Sequence, residues 1–107
     1  MPTATASALG FQPQLLDPHS ANPQPVAPAN GSDFTLEELY RLLDCSTVEV
    51  VTLTPELILI TDEESKFRTP AYLNLLASYL WHTHQPSARG VDVIVGRAIY
   101  CHTSQLR

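Results

Sequence analysis

VEVVTLTPELILITD, residues 48–62, is the stretch on which the fold turns. Val48, Val50 and Val51, with Thr47, Thr52 and Leu53, are β-branched or apolar in the way a strand requires. Leu57, Ile58, Leu59 and Ile60 form a second strand that is apolar on both faces. Between them stands Thr54-Pro55-Glu56, and proline suits the first corner of a tight turn. The two strands therefore read as a hairpin. A strand without a polar face is buried on both sides, which places Leu57–Ile60 inside its sheet. Asp62 to Lys66 then turn the chain outward, with their charges expected in water.

Immediately upstream, DFTLEELYRLLDC (33–45) carries a helix start in full. Thr35 is the N-cap and Glu38, three residues on, returns the bond, which makes a capping box. Phe34 before the cap and Leu39 within the helix form the pair of a hydrophobic staple. Glu37 and Glu38 oppose the positive end of the helix dipole. Leu36, Leu39, Tyr40 and Leu43 recur at helical spacing, so the helix spans about residues 36–44 with one apolar stripe.

Downstream, AYLNLLASYLWHTH (71–84) has a second helical pattern with two competing starts. Thr69 can cap with Pro70 in the first turn, or Asn74 can cap a helix that begins at Leu75. Pro86 ends it near His84. VDVIVGRAIYCH (91–102) reads as a last strand, with Gly96 marking a bulge or a close backbone approach.

The first 30 residues differ from the rest. They hold six of the nine prolines and a single charge, Asp17. Proline removes amide donors and interrupts both helix and sheet. Residues 1–30 are therefore expected to be a disordered, Pro/Ala-rich tail, and residues 31–107 one small domain. The fold class is α+β: a small, mostly antiparallel sheet of about three or four strands packed with two helices.

Composition excludes several functions. The net charge is −5, and the six Lys and Arg are scattered. No basic stripe exists to neutralise phosphates, so direct duplex nucleic-acid binding is not expected. The longest apolar run, Leu57–Ile60, is far short of a membrane span. No basic segment followed by an apolar run opens the chain, so a cytoplasmic location is expected. Cys45 and Cys101 are expected as free thiols, Cys101 buried.

His82 and His84 invite a metal reading. Side chains two apart on a helix diverge by about 200°. They cannot chelate together while the helix lasts, and a closed zinc site needs further ligands. No metal and no cofactor is expected. Cys101 and His102 are adjacent in a strand and point to opposite faces, which removes them as a nucleophile–base pair. The four glycines match no phosphate-binding fingerprint. No catalytic residue is assigned.

Five stretches in order, NGSDFTLEEL (30–39), VEVV (48–51), ILITDEESK (58–66), NLLAS (74–78) and DVIVGRAIYC (92–101), carry a resemblance. Together they resemble a family of small bacterial, plasmid and phage proteins described as domain of unknown function 3846. Its pattern runs N-G-x-x-F-T-L-E-E-L, I-E-V-V, a strand ending near N-E-E-G-K, N-x-x-A-[ST], and D-x-I-V-G-x-x-x-x-C. This chain departs from it at Asp44-Cys45-Ser46, where the family has Gly-Gly, and at Ser65, where it has glycine. The family's alternating first strand is replaced by the proline-rich segment. The resemblance implies a small α+β fold and an association with mobile elements, and it brings no catalytic residue.

Two functions remain. One is a non-catalytic binding or accessory protein. The alternative is a protein that binds or sequesters a small nucleotide-like ligand, or an enzyme of unrecognised type. For that alternative the ligand-binding candidates are Lys66, Arg68, Asn74, Trp81 and Arg97, gathered across a homodimer if one forms. A concave pocket with converging polar groups favours the ligand site, and a flat surface favours the binding module.

Overall fold

The hairpin forms as its sequence dictates. In the computed structural model, which describes residues 11–106, β3 (Val48–Thr52) pairs antiparallel with β4 (Leu57–Asp62). Leu53 N–H donates to the Leu57 carbonyl at 2.9 Å. Thr54 Oγ1 accepts from the amides of Glu56 and Leu57 at 3.1 and 3.0 Å, which fixes the turn. Five of the six β4 residues are buried, because β4 lies between β3 and β5 (Ala98–His102).

The sheet has five strands, not three or four. The additional strands are β1 (Gln14–Leu16) and β2 (Gln24–Pro25), both from the segment whose prolines suggest a tail. The strand order is β2-β1-β5-β4-β3, with antiparallel pairing throughout. Gln14–Leu16 holds no proline, and its partner on one side is β5, with Leu15 opposite Ile99. Pro25 is tolerated because β2 is an edge strand, where a missing amide breaks no ladder. The expectation of disorder is thus corrected for this stretch; residues 1–10 of that segment lie outside the described residues.

A helix covers each face. α1 (Leu36–Leu43) starts at Thr35, whose hydroxyl accepts from Glu38 N–H at 3.2 Å while Glu38 Oε1 accepts from Thr35 N–H at 2.9 Å. Phe34 and Leu39, the staple pair, are both fully buried. With Leu43 they pack on Leu15, Ile58, Ile60, Ile99 and Cys101. α2 (Leu75–His84) starts at Asn74, the later of the two starts. Its Ala77 joins Leu16, Leu53, Leu59, Ile94 and Ala98 on the opposite face. Alternating residues of β4 therefore feed two cores. Burying a leucine such as Leu59 removes it wholly from water, a gain of about 2 kcal/mol.

Two further expectations change. The last strand, Ala98–His102, is shorter than the stretch 91–102 read from sequence. Gly96 adopts φ +80°, a left-handed geometry outside the strand region, and regular pairing begins only at Ala98. Asp62 is not wet: it is buried, because Arg68 returns over it through a short turn at Ser65–Phe67.

Candidate functional site

At one end of the sheet, the β1–β2 connection, the C-terminus of α1 and the segment before Ala98 enclose a cleft of about 200 Å³. Arg68 and Arg97 both line it. Arg68 Nε donates to Asp62 Oδ2 at 2.6 Å, and its Nη2 donates to the Asp44 carbonyl at 3.3 Å. Arg97 Nη1 donates to the Leu42 carbonyl at 3.1 Å, and its Nε lies 3.4 Å from Asp17 Oδ2. Both guanidinium groups thus meet carbonyls at the end of α1, where a helix leaves acceptors unpaired and its dipole is negative.

The carboxylates are engaged as well. Asp62 Oδ1 accepts from Glu64 N–H, and Asp17 Oδ1 accepts from His19 N–H. The pairing with Asp62 raises the Arg68 pKa above its usual value. At the mouth, the His19 and Tyr72 rings meet edge-on with centroids 4.3 Å apart. The two arginines face Asp17, Asp44 and Asp62 among the lining residues, an excess of one negative charge. An incoming anion would have to displace a carboxylate already in place. Asp17 and Asp62 are each held by an arginine and by a backbone amide.

Of the five candidates from sequence, the structure brings together Arg68 and Arg97. Lys66 pairs with Asp92 elsewhere and holds its carboxyl below the usual range. Asn74 is buried and tied into the fold: Oδ1 caps Ala77 N–H, and Nδ2 donates to the carbonyls of Leu16 and Gly96. Trp81 lines a separate groove beside β3, with Val50, Val51 and Val91. Sequence reasoning missed Asp17, Asp62, His19 and Tyr72. Asp17 alone carried a signal, as the single charge in the first 30 residues.

The histidines separate as helix geometry requires. His82 Nε2 lies 2.7 Å from the Asp92 carbonyl, and His84 is exposed. Both cysteines are free. Burial pushes the Cys101 thiol up to about 12 and raises Cys45. Neither gains the thiolate that a nucleophile needs.

A different surface lies at the start of α2. Leu75 is 73% exposed and Tyr79 65%, and Tyr72, Leu73 and Leu76 are also exposed. Leu73, Leu75 and Leu76 border a groove of about 340 Å³ against the β1–β2 connection. Residues 69–88 contain no Asp, Glu, Lys or Arg. Among the described residues, no helix is long and apolar enough to cross a membrane.

These features define a small α+β domain, an antiparallel sheet between two helices, whose clustered charges are engaged with one another. The chain belongs to the family described as Domain of unknown function (DUF3846), whose model matches residues 15–105. The match begins within β1, so the N-terminal strand is part of the family domain. No curated protein and no solved structure matches the chain.

Proposed function

We propose that this protein is a non-catalytic binding module that docks a protein partner through the outward face of α2. The observation that supports this reading is the exposure of Leu75, Leu76 and Tyr79 on a helix whose inner face is already packed. A helix apolar on all sides is ordinarily buried on all sides. A contiguous exposed apolar patch is the usual mark of a protein contact. The groove beside Leu73 and Leu75 suits an apolar side chain from the partner. With no charge in residues 69–88 and a net charge of −5, the fitting partner segment is apolar at its centre and basic at its flanks.

The alternative of a small nucleotide-like ligand is less well supported. Arg68 and Arg97, which would bind its phosphates, are committed to Asp62 and Asp17. An accessory role in a phage, plasmid or integrated element belongs to the same proposal and rests on the family resemblance.

The test places a photocrosslinking amino acid at Tyr79 and, as a control, at the exposed Glu37 of α1, in the native host. Crosslinks to a defined protein from position 79, abolished by Leu75→Glu, are expected. Equal crosslinking from both positions would defeat the proposal.

A further inference from the structure

The two edges of the sheet are unlike. β2 is two residues long, contains Pro25 and follows Pro23, which blunts it against further pairing. β3 is five residues long, holds no proline and no lysine, and pairs on one side with β4. Which of its backbone groups face outward follows from the register. Leu53 N–H donates to Leu57 O, and Glu63 N–H donates to Thr47 O. Hydrogen-bonded pairs recur every second residue of an antiparallel ladder. Glu49 with Thr61 and Val51 with Leu59 are then the inward-bonded pairs. Val48, Val50 and Thr52 direct their N–H and C=O groups away from the sheet. No other hydrogen bond to these groups is present among the described residues.

We propose that β3 pairs antiparallel with β3 of a second copy of this chain, about a two-fold axis at Val50. The register is self-complementary. Val50 faces Val50 of the second copy, and Val48 faces Thr52 in both directions. Each of these pairs exchanges two N–H···O bonds, because they are the outward-directed residues. Glu49 falls opposite Val51 of the second copy, so the strand's one charge never meets its like directly. Val50, 42% exposed in the single chain, gains a β-branched neighbour. On the α2 side, the groove of about 620 Å³ lined by Val51, Trp81 and Val91 continues across the axis into its own copy. Val91, 80% exposed, is covered there. The contact is isologous and closes at two copies. It uses a surface distinct from the α2 face proposed for the partner, so the two readings stand or fall separately.

Sedimentation velocity over a dilution series tests the pairing on the full chain. The expected species at the concentrated end has the mass of two 11.8 kDa chains. Val50→Pro removes an outward amide at no cost to the β3–β4 ladder and is expected to give a folded monomer. Val50→Lys places two ammonium groups at the axis, keeps every backbone donor, and is expected to do the same. Circular dichroism confirms that each variant is folded, and either one suffices. Hydrogen exchange is expected to protect the amides of Val48, Val50 and Thr52 in the concentrated sample and release them on dilution. Three results overturn the proposal: a wild type monomeric at every concentration, a dimer that survives in a folded Val50 variant, or protection of these amides in a species of one-chain mass.

Discussion

Asn74 is one side chain that ties three elements, and its loss has a size that follows from the contacts. Its Oδ1 caps α2 at 3.0 Å from Ala77 N–H, and its Nδ2 bonds Leu16 O at 2.9 Å and Gly96 O at 2.8 Å. Removing an N-cap costs about 1 kcal/mol. Each buried hydrogen bond contributes a further ~1 kcal/mol, and more if its acceptor is left unpaired. Asn74→Ala is therefore expected to destabilise by about 3 kcal/mol, a large share of the ~5–15 kcal/mol that holds a domain together. The melting midpoint should fall by about 12 to 24 °C. Asn74→Ser separates the parts. Serine keeps the cap and loses both long-range donors, so it should cost about 2 kcal/mol, with the cap as the difference between the variants. Urea unfolding followed by Trp81 fluorescence and by circular dichroism measures both. A serine variant as stable as wild type would show that the bonds to Leu16 and Gly96 contribute nothing net, and the reasoning would fail.

Thr35→Ala should lose about 1 kcal/mol, read as a lower urea midpoint with an unchanged slope. Glu38 is held below its ordinary 4.5 by the amides of Thr35 and Ala29. Its contribution is complete above that value and is lost as pH falls through the lower folded pKa. Glu38→Gln should therefore flatten the acid limb of the stability profile, and an unchanged limb would contradict the assignment. Alkylation of the native protein at pH 8 should reach Cys45 slowly and Cys101 only after denaturant is added; labelling of Cys101 in the folded state would mean its burial is transient. His84→Ala should be neutral, whereas His82→Ala should lose about 1 kcal/mol with its bond to the Asp92 carbonyl, both checked by thermal melts.

What the sequence disclosed was local chemistry. The start of α1 is written in four residues, Phe34, Thr35, Glu38 and Leu39, and no distant group is needed to decode it. The β3–β4 hairpin is equally self-contained. The start of α2 was ambiguous because Thr69-Pro70 and Asn74 are both reasonable caps. The choice falls to Asn74 through carbonyls 58 and 22 positions away along the chain. β1 was hidden because its three residues, in the four-residue gap between Pro13 and Pro18, carry too short a pattern to register. Its strand character comes from the ladder to β5, which lies at the other end of the sequence. The cleft was half legible for the same reason. Arg68 and Arg97 stood out as cations, but their partners Asp62 and Asp17 are set by the return of the chain, not by spacing. Lys66 and Trp81 were grouped with them by residue type alone, and the topology sends each to a different surface.

The strand order has a consequence for how the chain is made. β5, the last of the described strands to leave the ribosome, belongs between β1 and β4, both finished long before it. Until β5 emerges, the β1–β2 and β3–β4 hairpins have no common ladder, and each leaves an apolar edge open to the cell. Gln105 then reaches the Phe11 carbonyl, and Phe34 bridges to Leu106, closing the ends of the described chain on each other. Pairings of such long sequence separation are slow to form. The decisive step of folding is thus expected to wait for β5, and nascent chains stalled before Ala98 should be the aggregation-prone and protease-sensitive ones.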